Sequence, residues 1–376
     1  MLNSTIKSLQ SKYFISILLL LGLTNCIDKI DLPIPDTEQG IMVIQGKIGI
    51  AEKISAEVYL SKSFSFSSTN AGPRDVLNAK VSITDSEGNS IELQGGLLDG
   101  FYRASFDTTA SILSITPGTK YQLKVQTLDN KEYVSSMEEV MELPEADQLS
   151  FKKKNKEVVS PKGYTNTIEV IELLITTPLR VTPSSSNQRL AWNIKSTYKL
   201  TDTPSICNWP PLQTIPTPKT CYINSLENIT ENLFFDGSKV SINKLEDYIF
   251  FDQIITSKFA EGLYFNVIQQ SLNEGAFEYL KNAQQLLERT GSMFSPLPGL
   301  LASNLKNKSD DQEPVYGYFY ATLENIIRIY VSPEAAGYPA TNCPFNRPDG
   351  LSAHNQCCDC LLAPNSTTTK PAYWQF

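Results

Sequence analysis

Residues 79–93 read AKVSITDSEGNSIEL, and this stretch decides the fold class. Val81 and Ile83 alternate with Lys80, Ser82 and Thr84, a period of two that puts the apolar side chains on one face of a strand. Asp85-Ser86-Glu87-Gly88-Asn89 then supplies turn-forming residues, and Ile91-Glu92-Leu93 resumes the alternation. The prediction is a hairpin with one buried face. Outward from it the same grammar repeats. Val43–Ile48 and Ala56–Leu60 are short runs rich in β-formers, Pro117-Gly118 turns the chain into Tyr121–Val125, and Asp129-Asn130-Lys131 turns it again before Tyr133.

About seven strands in about 100 residues, with frequent turns and no helical period, predict a β-sandwich over residues 40–145. The architecture expected is immunoglobulin-like (Ig-like) or transthyretin-like. The cysteine–tryptophan–cysteine pattern of a true immunoglobulin is absent, so only the architecture is implied. Leu143-Pro144-Glu145-Ala146-Asp147 reads as a boundary. Beyond it, 167–175, 190–194 and 262–268 read as strands. Residues 272–289 read as a helix, with Phe277, Leu280, Ala283, Leu286 and Leu287 on one face and Gly291 as its stop. Val315–Ala321 and Ile326–Val331 read as two late strands. The second domain, 146–376, is therefore expected to be β-rich with a helical insertion and a disulfide-rich tail over 343–376. The run Lys152-Lys153-Lys154 with Lys156 reads as a solvated strand end or linker.

At the N-terminus, residues 13–26 read YFISILLLLGLTNC behind Lys7 and Lys12. The run is too short for an ordinary span and fits a secretory h-region. Leu23-Thr24-Asn25-Cys26 is close to a bacterial lipobox. The expectation is a signal peptide over 1–25 and a lipid-modified Cys26, with plain cleavage and Cys26 in a disulfide as the alternative. Residues 26–39 then form a tether with two prolines. Asp28 and Asp31 resemble the surface-export signal of Bacteroidota lipoproteins, against the plainer reading of a solvated linker. The expected location is the outer membrane, lipid-anchored, on its periplasmic or surface-exposed face.

Charge and residue counts exclude several chemistries. A formal net charge of -8 argues against nucleic acid and against an electrostatic grip on anionic lipid. Histidine occurs once, at His354, so neither an HExxH zinc site nor a three-histidine site can be built. No GxSxG elbow, phosphate-binding GxxxxGK[ST] loop or GxGxxG loop is present. No catalytic residue, metal or cofactor is expected. With 40 acidic residues, no carboxylate pair for glycoside hydrolysis stands out. Cys207, Cys221, Cys343, Cys357, Cys358 and Cys360 read as disulfides in an exported chain. Spacing suggests Cys207 with Cys221, and two bridges among the other four. Zinc held by Cys343, His354 and Cys357–Cys360 is disfavoured because adjacent cysteines cannot readily share one tetrahedral ion, and a redox-active Cys358-x-Cys360 pair ranks behind it.

Asp85-Glu87-Asn89 and Asp310-Asp311-Glu313 read as turns ahead of calcium loops. Asp107-Thr108-Thr109 resembles the O-glycosylation acceptor of Bacteroidota, which would modify Thr108. Tyr316, Tyr318, Phe319 and Tyr320 read as a strand with alternate rings in the core, ahead of a stacking platform for sugar or peptide. Tyr373-Trp374-Gln375-Phe376 reads as a docked tail, since Pro371 stands where the last strand of a membrane barrel would run.

Taken in order, Cys26, Ile44-Gln45-Gly46, Ala79–Ile83 with Asp85 and Gly88, Gly100-Phe101-Tyr102, Pro117–Tyr121, Tyr133, Gly317-Tyr318-Phe319, Cys357-Cys358-Asp359-Cys360, Lys370-Pro371 and Trp374 resemble a known family. It is the Bacteroidota outer-membrane lipoprotein family classed as domain of unknown function 4249. The resemblance implies a lipid-anchored envelope protein, often associated with TonB-dependent outer-membrane receptors, with no established enzyme activity and no catalytic residues. The function expected is thus a non-enzymatic outer-membrane lipoprotein serving a TonB-dependent transport system. The alternatives are cell-surface adhesion to glycan or matrix, and a carbohydrate-active enzyme using a carboxylate pair.

Overall fold

Short runs of alternating apolar and polar residues can bury their apolar face only by pairing edge to edge and packing against a second layer. The computed structural model of the protein shows how this chain does so, and describes residues 40–63, 74–107, 112–160, 163–207, 214–227, 233–288, 301–341, 343 and 355–376. The first strands are β1 (Met42–Ile50), β2 (Ile54–Lys62), β3 (Arg74–Asp75), β4 (Lys80–Asp85), β5 (Ser90–Gly95), β6 (Phe101–Phe106), β7 (Lys120–Gln126), β8 (Glu132–Ser135) and β9 (Glu138–Glu139). There follow β10 (Gln148–Val159), β11 (Thr165–Pro178), β12 (Arg189–Thr201), β13 (Thr220–Leu226), β14 (Phe234–Asp236), β15 (Lys244–Ile254) and β16 (Leu263–Leu272). Helix α1 (Glu274–Glu288), β17 (Leu305–Asn307), β18 (Val315–Val331), α2 (Pro333–Ala336), α3 (Asn355–Cys358) and β19 (Ser366–Thr367) complete the chain.

The protein is mainly β, and the expected hairpin is present: Val81 faces Leu93 and Ile83 faces Ile91 across β4 and β5. Val81, Ile83, Tyr121, Leu123 and Val125 are fully buried in the first core with Ile44, Ile48, Val58 and Leu60. The predicted turns carry the backbone they need, with Gly88, Gly118 and Asn130 all at positive φ.

The largest sheet runs in the order β17-β8-β7-β4-β5-β6-β2-β1-β18-β16-β12-β13-β19. Its hinge of connectivity is β18. Val315–Leu323 pair in parallel with β1, and Glu324–Val331 pair antiparallel with β16. The two late strands expected from sequence are therefore one continuous strand. Polar Thr322, Glu324 and Asn325 interrupt its apolar pattern where it passes between two cores. The second core lies between the β12-β16-β18 face and a smaller sheet, β10-β11-β15.

A first domain confined to 40–145 is corrected on the same ground. Leu305, Val315, Phe319 and Ala321 are buried in the first core, and residues 40–376 form one compact unit. The lysine run lies in β10, an edge strand of the smaller sheet, where exposed charge guards unpaired backbone. The expected helix forms as α1. The Asn273 side chain accepts a hydrogen bond from the Ala276 N–H at 2.8 Å, and Ala276 and Phe277 pack against Ala191, Leu272 and Tyr318. Gly291 lies outside the described residues.

Register fixes which loops share an end of the first sandwich. Met42 pairs with both Lys62 and Val315, Leu60 N–H bonds Gly100 O, and Lys80 pairs with Gln126. Gly40, the 96–100 turn, the 127–131 turn and the 308–314 loop therefore lie at one end. The 51–53 and 86–89 turns lie at the other, where β18 continues into the second sandwich.

At the Gly40 end, Glu313 accepts from Lys131 Nζ at 2.8 Å, Tyr133 Oη at 2.9 Å and Asn307 Nδ2 at 2.7 Å. Burial pushes its carboxyl up, but these hydrogen bonds outweigh burial and hold it below the ordinary carboxylate range. A depressed carboxylate stabilises the fold above its unfolded pKa and loses that contribution as pH falls through its folded pKa. Glu313→Gln is therefore expected to cost ~1–3 kcal/mol at pH 7, with the gap to the native protein closing below about pH 4 in urea titrations. A fragment spanning 40–145, lacking Phe319 and Ala321, is expected to give no cooperative thermal transition by circular dichroism, whereas the full chain does.

Candidate functional site

Three disulfides gather at the end of the second sandwich remote from Gly40. Cys207 pairs with Cys358, Cys221 with Cys360 and Cys343 with Cys357, at Cα separations of 5.7, 5.9 and 5.2 Å. The expected Cys207–Cys221 bridge is thus replaced. Cys221 sits opposite Leu200 in the β12–β13 pairing, while Cys207 lies past a 3₁₀ turn, so both reach instead to the tail. Adjacent Cys357 and Cys358 lie on α3, where successive side chains project about 100° apart, so each finds a different partner. The first two bridges span 151 and 139 residues and fasten the C-terminal tail to the sheet. Asp202 supports the junction. It accepts from the backbone N–H groups of Lys219 at 2.8 Å and Cys360 at 3.1 Å.

Beyond the bridges the tail docks on the outer face of the sheet. Trp374 is buried against Tyr222 and Tyr264, each at a centroid distance of 5.0 Å, and Phe376 stacks on Tyr330 at 4.5 Å. Tyr373 donates or accepts at Thr197 Oγ1 over 2.8 Å and lies under the Arg328 guanidinium at 4.6 Å. The terminal aromatics are a docked tail. In the other aromatic run, 316–320, the rings of Tyr318, Phe319 and Tyr320 are engaged as well. Phe319 is in the first core, and Tyr318 packs on Tyr279 at 5.0 Å while donating to Glu138. It does not form an open stacking platform.

Between α1 at one side and the tail at the other, the outer face is uncovered by the described residues. Register sets two rows across it. Asn193, Ile268 and Ile326 form one row, and Leu226, Lys195, Asn266 and Arg328 form the next. Asn193, Lys195 and Leu226 are exposed, and the others are half-buried. Arg328 Nε donates to Asn266 Oδ1 at 3.2 Å and Arg328 Nη2 pairs with Glu52 at 3.0 Å, which holds the row in place. The strip offers amides and cations over an apolar floor. That chemistry suits recognition of a polar chain with hydroxyl or carboxylate groups, and supplies no general acid–base pair. Sequence reading missed it, because the four strands that supply it meet only through register.

The acidic clusters are occupied internally. Asp85 Oδ1 accepts from the N–H groups of Glu87 and Asn89, each at 2.9 Å, and Asp310 accepts from Gln312 N–H at 3.0 Å, which makes both segments capped turns. Glu138 accepts from Ser136, Asn273 and Asn304. Glu324 pairs with Lys47 at 2.6 Å; burial lowers the Lys47 pKa, but Tyr320 and Glu324 outweigh it and hold the amine above its usual range. Ser196 donates to Glu227, which also meets Lys258 at 3.2 Å. Among the described residues no group of three or more His, Cys, Asp or Glu is placed to hold a metal ion. Cys26, Thr108 and His354 lie outside the described residues. Asp107, beside Thr108, is exposed and pairs with Lys53 at 3.1 Å.

Residues 27–325 match the model of a family described as a domain of unknown function, DUF4249. No curated protein matches the chain.

Removing one long bridge, as in Cys221→Ser with Cys360→Ser, is expected to destabilise the protein by ~2–5 kcal/mol in denaturant titrations. Non-reducing peptide mapping should return the pairs 207–358, 221–360 and 343–357, and no 207–221 peptide.

Proposed function

The chain belongs to the DUF4249 family, and from that membership and the geometry above we propose that it is a non-enzymatic, lipid-anchored outer-membrane protein. On this reading acylated Cys26 holds the bilayer, and the outer face of the second sandwich binds a TonB-dependent transporter or its cargo. The observation that carries the reading is the relation between two ends. The described chain begins at Gly40, level with the start of β18. The strip is carried on the second half of β18, a strand of 17 residues that spans about 55 Å when extended at the usual rise. A tether at one end and a polar–apolar strip toward the other suits a protein that holds a recognition surface clear of the membrane. Among the described residues, the hydrogen bonds and ion pairs held by buried Asp85, Glu138, Asp202 and Glu227 favour binding over catalysis.

Affinity purification from gently solubilised outer membranes tests the proposal. The expected result is an acylated Cys26 peptide by mass spectrometry and co-recovery of a barrel transporter. Lys195→Glu with Leu226→Asp, both at exposed positions, should cut that recovery about tenfold, equivalent to ~1.4 kcal/mol, with an unchanged melting temperature. An unmodified Cys26, or recovery of the acylated protein with no barrel partner, would overturn it.

A further inference from the structure

The two most exposed large apolar side chains described are neighbours, Leu97 at 93% and Leu98 at 91%. They form the tip of the β5–β6 turn, a position that usually holds glycine, asparagine or aspartate. The turn is built around them. A side chain at Gly100 would meet Leu60 O, a backbone atom, at 2.2 Å, so glycine is required at that shoulder. The one charge in the turn is folded back. Asp99 accepts from Phe101 N–H at 3.3 Å and pairs with Arg103 at 3.6 Å. What remains facing outward is hydrocarbon on a fixed hairpin. Leu128, 73% exposed, tips the β7–β8 turn at the same end of the sandwich.

That end is the one at which the chain enters the fold. Residues 27–39 are thirteen in number, and a chain of that length reaches at most about 45 Å even when fully extended. An anchor at Cys26 therefore confines the Gly40 end, with Leu97, Leu98 and Leu128, to the neighbourhood of the bilayer. Nearby charges are of both signs, with Lys62, Arg74 and Lys80 against Asp75, Asp129, Asp310 and Asp311. Such a surface gives no net attraction to anionic headgroups, and the contact available is apolar. A tether also makes that contact intramolecular, so two leucines suffice where they would fail on a free protein.

We propose that Leu97 and Leu98 form a membrane-inserting tip that seats the Gly40 end on the bilayer and sets the second sandwich away from it. The inference rests on the lipid-anchor reading and deepens it. A second exposed apolar pair, Val159 at 71% and Tyr164 at 70%, tips the β10–β11 hairpin at the opposite end, past the last β11–β15 pairing at Val170 and Ile254. It serves as the control.

The test uses purified, lipidated full-length protein carrying Leu97→Cys, Leu98→Cys or Val159→Cys. The six cysteines after Cys26 are bridged, and in the lipidated protein the Cys26 thiol carries lipid, so each added thiol can be labelled alone with an environment-sensitive fluorophore. The protein is floated with phosphatidylethanolamine–phosphatidylglycerol vesicles containing acyl-chain spin-labelled lipid. The expected result is flotation of all three variants, with about twofold quenching at 97 and 98 and none at 159. Flotation without quenching at 97 and 98, or equal quenching at all three sites, would overturn the tip while leaving the anchor intact. Failure to float would overturn both.

Discussion

One strand belongs to two cores. β18 bonds β1 along Val315–Leu323 and β16 along Glu324–Val331, so neither sandwich can be completed without it. Its residues are separated by more than 270 positions from their partners in β1, a long loop closure before any reward from contact. Sandwiches that share a continuous hydrogen-bonded strand cannot swing about a linker as separate domains do. The connection between the Gly40 end and the disulfide-stapled end is thus a rigid ladder. Gly317 shows how tightly that ladder is made. It sits at φ +106°, where a side chain would lie 1.8 Å from Ile44 O. Only glycine lets the backbone of β18 approach β1 so closely.

The period-two segments were legible because each shows its buried face locally. Lys80–Asp85, Ser90–Gly95 and Lys120–Gln126 alternate cleanly and were all read from sequence. β10 was legible only in part, because an edge strand guarded by lysines reads equally as a strand end or a linker. β18 was divided in two because the crossing between cores is polar. Cysteine pairing was misread for a related reason. Local spacing favours Cys207–Cys221, whereas the bridges formed join residues 151 and 139 positions apart. The strip on the outer face was invisible because Lys195, Leu226, Asn266 and Arg328 come from four strands and no spacing links them.

Buried charge explains why so many acids coexist with a packed interior. Glu138 is 4% exposed and is held by neutral donors from Ser136, Asn273 and Asn304. Those donors precede β9, α1 and β17 in turn, so one carboxylate ties the helical insertion to the first sandwich. Glu227 and Glu324 act similarly with Lys258 and Lys47. Desolvated carboxylates are tolerated only when their lone pairs are filled. Carboxylates held in this way tie separate elements of the fold to one another.

The disulfides do for the far end what β18 does for the middle. The tail from Asn355 to Phe376 holds only two short helical turns and a two-residue strand, too little regular structure to hold itself. Two bridges with long loops remove much of its unfolded-state freedom. That constraint lets Trp374 and Tyr373 settle on Tyr222, Tyr264 and Arg328 and cover one side of the outer face. Helix α1 covers the other side through Phe277, and the strip is what the two leave open. Its limits are therefore set by covalent bonds at one margin and helix packing at the other, while its residues stand on strands locked into the shared sheet. A surface framed in this way keeps its shape without a partner, so binding to it would not carry the ordering cost that a flexible loop incurs.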